Sequence, residues 1–128
     1  MNYISEVKAT TLSWTDDELK HIQDKVFGPN SGVMEAMDLE ELRQELTVDY
    51  DDRPFKTKKA AVMELLDGEL IRLDHDEEGA INSIYRREEN GVHGKDISKK
   101  KVESIKKENK DFTAGLKSRV KSYIATLK

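Results

Sequence analysis

Apolar residues recur along this chain at steps of three and four, the spacing that puts side chains on one face of an α-helix. Leu19, Ile22, Val26 and Phe27 form the first such stripe. Thr15-Asp16-Asp17-Glu18 precedes it and reads as a capping box, in which threonine and glutamate satisfy orphan amides at a helix start. Gly28-Pro29 predicts its end. After a turn at Asn30-Ser31-Gly32, Asp38 predicts the N-cap of a short helix with Leu39, Leu42 and Leu46 inward. Asp49-Tyr50-Asp51-Asp52-Arg53-Pro54 reads as a polar loop, where Pro54 biases Arg53 towards an extended backbone.

Thr57 predicts the next cap, with Val62, Leu65, Leu66, Leu70 and Leu73 as the buried face. Gly68 is a weak point there, worth ~1 kcal/mol against alanine. The stripe then meets Asp74 to Gly79, which predicts an acidic turn. Ile81, Ile84 and Tyr85 begin another helix, closed by Asn90-Gly91. Val92 to Asp96 reads as a flexible joint. Ser98 predicts a cap before Val102 and Ile105, and Asp111 predicts the start of a last helix. That helix carries Phe112, Leu116, Val120, Tyr123, Ile124 and Leu127 on one stripe. At the N-terminus, Tyr3, Ile4 and Val7 fit either a short strand or an ordered arm. The expected fold class is mainly α: a small helical domain of about five or six short helices, with that strand or arm in front.

The 128 residues are the size of one ordinary domain. Hydrophobic residues are 36% and charged residues 38%, so the expected core is lean, yet helical periodicity argues against wholesale disorder. The absence of cysteine excludes disulfides, zinc–thiolate sites and cysteine nucleophiles. Met1 to Trp14 lacks the basic and apolar run of a signal peptide. No stretch approaches the ~18 apolar residues of a membrane span. A cytoplasmic protein without membrane contact is the expectation.

Charge changes the picture more than composition does. Residues 1–56 hold 6 Lys/Arg and 13 Asp/Glu, residues 57–93 hold 5 and 9, and residues 94–128 hold 11 and 4. This predicts an acidic helical body over 1–93 and a basic helical segment over 94–128, packed on the body or on a partner. The basic residues are Lys95, Lys99, Lys100, Lys101, Lys106, Lys107, Lys110, Lys117, Arg119, Lys121 and Lys128. Such a footprint either binds the phosphates of nucleic acid, or is a solvated face kept soluble by its charge, or docks on an acidic protein. Lysine suits diffuse phosphate contact better than base readout, where arginine's planar fork is favoured. Aromatics are sparse there, and Phe112 and Tyr123 fit the apolar stripe, so base stacking as in single-strand binders is not expected. The stripe itself must be buried, on the body or through residues 111–127 of a second copy in a homodimer.

Asp38 to Leu66, DLEELRQELTVDYDDRPFKTKKAAVMELL, resembles the SAP or helix-extension-helix family, a two-helix module found on DNA- and chromatin-binding proteins. Leu42 and Leu46 match its first helix, and Lys58-Lys59-Ala60-Ala61-Val62-Met63-Glu64-Leu65-Leu66 matches its second. The resemblance implies a helical hairpin with Lys58 and Lys59 towards phosphate. This chain departs from the pattern by lacking the turn glycines, by a longer connection, and by acids at 49, 51 and 52.

Asp74 to Tyr85 resembles an EF-hand calcium loop. The resemblance implies oxygen ligands from Asp74, Asp76, Glu78 and Asn82, with Gly79 at the sharp turn. Tyr85 stands where a bidentate glutamate is needed. The expectation is therefore no bound metal and no cofactor.

His21, His75 and His93 are far apart in sequence, and no nucleophile elbow, phosphate-cradling loop or H-E-x-x-H occurs. The reading is a non-catalytic protein. It is either a nucleic-acid-associated accessory or regulatory protein using Lys58, Lys59 and the cations from Lys99 to Lys121, or a protein-binding module that regulates or inhibits a larger complex. In its small size and high charge it resembles small bacteriophage-encoded proteins that act by binding.

Overall fold

The computed structural model describes residues 12–28, 31–33 and 37–127. The N-terminal segment read as a strand or arm lies outside them. Capping chemistry places three helix starts, at Thr15, Asp38 and Thr57, where expected. Helix α1 (Asp16–His21) begins on the Thr15–Glu18 box, in which each residue's side chain accepts the other's amide at 3.1 Å. It runs straight into a π-helical turn, Ile22–Phe27. Helix α2 (Leu39–Glu45) is capped by Asp38, whose carboxylate accepts the Glu41 amide at 2.9 Å. Helix α3 (Lys58–Glu89) begins on Thr57, whose hydroxyl accepts the Ala60 amide. Its end is made by Gly91 at φ 77°, where the Asn90, Gly91 and Val92 amides pair with carbonyls of the last turn. Helix α4 (Lys95–Thr126) completes the described residues.

Mainly helical architecture is thus present, but the described residues form four α-helices, two of them long, and not five or six short ones. The two corrections have one cause. The expected turn at Asp74–Gly79 is the interior of α3, and the expected starts at Ser98 and Asp111 lie inside α4. No proline occurs in either stretch, and a mid-helix glycine costs only about 1 kcal/mol. Breaking the helix would instead orphan four amides and four carbonyls. Positions 66, 70, 73, 77, 80 and 84 continue one stripe, interrupted by Glu77. Positions 98, 102, 105, 109, 112, 116, 120 and 123 continue another, interrupted by Asn109. Those polar residues on the apolar face look like element boundaries in sequence.

The chain divides into two compact units, one of Met1–Glu69 with Leu116–Lys128 and one of Leu70–Gly115. The first unit holds most of the core: Trp14, Leu19, Ile22, Val26, Phe27, Leu42, Leu46, Val62, Leu116 and Val120 are buried. The π-helical turn serves this packing, because i→i+5 pairing brings both Val26 and Phe27 round to the face of Ile22. Trp14 Nε1–H donates to the Leu46 carbonyl at 2.9 Å, which satisfies the C-terminus of α2. Gln23 donates to the carbonyls of Met37 (2.7 Å) and Val33 (3.3 Å). Leu116 and Val120 are fully buried here, so this end of the last stripe is covered by its own chain.

The second unit is a helical hairpin of residues 70–89 of α3 and 95–115 of α4, with the glycine joint at 91–94 as its turn. Leu73, Ile84, Ser98 and Val102 are its buried residues. Among the described residues no helix is long and apolar enough to cross a membrane.

Candidate nucleic-acid interface

Lys128 lies outside the described residues; the other cations singled out in the sequence fall into two kinds. Lys58 and Arg119 are engaged within the first unit. Lys58 Nζ lies 2.6 Å from Glu18 Oε2 and 4.7 Å from the centre of the Trp14 ring. Burial pushes the Glu18 carboxyl up, but Lys58 and the Thr15 hydrogen bonds outweigh it and hold it below the usual carboxylate range. Arg119 Nε donates to the Val26 carbonyl at 2.9 Å and Nη2 to the Phe27 carbonyl at 3.3 Å. It closes carbonyls that the end of the π-helical turn leaves without intrahelical partners. One turn further on, Tyr123 stacks in a tilted pose on His21, ring centres 5.6 Å apart. These contacts make Lys58 and Arg119 parts of the fold, a role the charge pattern did not distinguish from binding. Lys59, Lys117 and Lys121 are exposed.

The cations of the second unit are of the other kind. Lys95, Lys99, Lys100, Lys101, Lys106, Lys107 and Lys110 are all exposed on α4. At 3.6 residues per turn, Lys95, Lys99, Lys106 and Lys110 fall within an arc of about 60° and span roughly 22 Å of helix. Lys100 and Lys107 flank that row on the side away from Val102. None of these seven forms an ion pair with a described residue. Lys101 alone makes a polar contact, at 3.5 Å from His93 Nε2. The α3 arm opposite, residues 70–89, holds three basic and six acidic residues, whereas residues 95–115 hold seven and four. Charge is therefore segregated between the two arms.

Between the arms near the turn lies an open groove of about 400 Å³. Tyr85 and Glu88 of α3 line one side, and Lys95, Lys99, Val102, Glu103 and Lys106 of α4 line the other. Tyr85 is 48% exposed there. The sequence pattern groups Tyr85 with Ile81 and Ile84 at the start of a helix. In a continuous helix the inward position is Ile84, and the next residue turns by about 100° to the groove's edge.

The hairpin that resembles the SAP module takes the form of α2, an extended connection and the start of α3. Leu42, Leu46, Phe55, Ala61, Val62 and Leu66 are its buried residues. The connection is braced. Val48 and Pro54 form a bridge, Asp49 accepts the amides of Asp51 and Arg53 at 2.9 Å, and Asp52 sits at φ 60°. The Arg53 backbone amide first, then the Asp51 amide and the Arg53 side chain, hold the Asp49 carboxyl below its usual range. Arg53 is paired with Asp51 at 2.9 Å and Asp49 at 3.4 Å, so of the cations near the turn Lys56 and Lys59 are the unpaired exposed ones.

The residues that resemble calcium ligands do not form a loop. Asp74, Asp76, Glu78 and Asn82 stand on the helical backbone of α3, where Asp76 points about 160–200° away from Asp74 and Glu78. Asp76 instead pairs with Arg72 at 2.6 Å. No group of three or more His, Cys, Asp or Glu side chains among the described residues is placed to hold a metal ion.

Fold and surface together define a helical protein with a packed unit and a two-helix arm bearing a lysine row. The chain matches no protein-family model, no curated protein and no solved structure.

Proposed function

We propose that this is a non-catalytic, nucleic-acid-associated accessory or regulatory protein that holds phosphates on the α4 side of its helical arm. The observation that carries this reading is the row Lys95, Lys99, Lys106 and Lys110, exposed and without an ion pair to any described residue. Asp96, Glu103 and Asp111 stand four residues from lysines of α4, yet none pairs with them, and lysines outnumber acids on this arm. Backbone phosphates fit a row of point charges without base readout.

The test is labelled nucleic acid titrated at several salt concentrations. Four lysines releasing counterions from duplex predict a slope of log affinity on log salt of about −3 to −4. Replacing Lys99, Lys106 and Lys110 by glutamate removes binding while far-UV helicity stays. If full-length protein binds no duplex or single strand at low salt, the proposal fails.

A second reading is favoured by one observation. Tyr50 is 96% exposed at the apex of the braced Asp49–Arg53 connection. An aromatic held out on a rigid loop is the kind of anchor that dominates protein interfaces. A salt-tolerant protein complex lost in Tyr50→Ala, with no nucleic-acid binding, would favour it.

A further inference from the structure

We infer that the groove between the arms accepts an unstacked base of single-stranded nucleic acid, with Tyr85 as the stacking face and the α4 lysines as the phosphate track. This rests on the proposal above and sharpens it from polyanion binding to a preference for single strands. Three features of the groove argue for it. Tyr85 is half-exposed beside Val102, so the groove combines an aromatic ring and an apolar floor, the surroundings a base prefers to water. Lys95, Lys99 and Lys106 line the same groove without ion-pair partners among the described residues. Glu88 and Glu103 also line it, and their carboxylates repel a phosphate from the interior. Phosphates are therefore directed to the outer lysines, including Lys107 and Lys110, while the groove is left for the uncharged part of a nucleotide. A duplex has no base to offer, since its bases are stacked and paired. A single strand does, and base–aromatic stacking tolerates any sequence.

Full-length protein titrated with a labelled oligo(dT) and with a duplex of equal length, both at low salt, tests this. The single strand is expected to bind more tightly. Tyr85→Ala is expected to weaken the single strand about tenfold, the size of one lost stack, and to leave the duplex unchanged. Tyr85→Phe keeps the ring and is expected to retain single-strand affinity, which separates stacking from loss of fold. Lys99→Glu with Lys106→Glu is expected to weaken both ligands. The inference is overturned if duplex and single strand bind alike, or if Tyr85→Ala leaves single-strand affinity intact. It is equally overturned if Tyr85→Phe loses as much as Tyr85→Ala. Failure of both ligands to bind overturns the underlying proposal as well, and capture of a protein on the lysine face in that case assigns the groove to a protein.

Discussion

The two units of this chain solve opposite problems with the same secondary structure. The first ties distant segments together. Trp14 reaches the end of α2, Gln23 reaches Met37, and Arg119 reaches back to Val26 and Phe27. Its large apolar side chains, Phe27, Leu19, Ile22, Leu42 and Leu46, are fully buried. The second unit buries few residues and leaves Ile71, Tyr85, Val92 and Ile97 exposed with its lysines. Cations in the first unit include two consumed by packing. The lysines of the second unit form no ion pair with a described residue, although Arg72 there pairs with Asp76. Where a charge sits in a helical protein says little about its use until its partner is known.

The largest test of that contrast is in the cores. Leu42→Ala should cost about 2–5 kcal/mol and lower the urea midpoint of the whole protein. Ile84→Ala should fall near the low end of that range and speed amide exchange in the α3 and α4 arms first, with the first unit still protected. Uniform loss of protection in both variants would erase the distinction between the units.

Arg119 and Lys99 provide the next comparison. Arg119→Met strands two carbonyls at the end of the π-helical turn and should destabilise by about 1–3 kcal/mol in chemical denaturation. Lys99→Ala should change stability by less than about 0.5 kcal/mol. Equal effects from the two would mean that the lysine row is also part of the fold.

The Glu18–Lys58 pair gives a smaller, pH-dependent effect. The folded-state pKa of Glu18 is depressed, so its contribution is present above the unfolded value of about 4.3 and is lost as pH falls through the folded value. Glu18→Gln should therefore be less stable than the parent near neutrality, with the gap closing on acidification. Thermal melts from pH 6 downwards measure it, and a gap independent of pH would assign the loss to the capping box instead.

The smallest effect bears on the arm itself. A Cβ at Gly79 meets nothing within 4 Å, so Gly79→Ala should stabilise α3 by about 0.5–1 kcal/mol. A calcium-like turn at that position would be strained by the same change.

What was legible in the sequence follows the range of the forces involved. Thr15, Asp38 and Thr57 cap helices by bonding to amides three residues on, and Gly91 ends one by reaching positive φ. These contacts are local, and the residues that make them stand next to each other in the chain. The mainly helical class and the segregation of acid from base were determined in the same way. The continuity of α3 through Asp74–Gly79 and of α4 through Asp111 was not. A lone Glu77 or Asn109 on an apolar face reads as a boundary, and only the packing on either side carries the helix past it. The fates of Lys58 and Arg119 were likewise decided by tertiary structure, because their partners lie 40 and 93 residues away. The same holds for Tyr85, whose place beside the lysines depends on two helices folding back on one another. Local hydrogen bonds write themselves into adjacent residues, whereas a groove or an ion pair exists only once the chain has closed the distance between its parts.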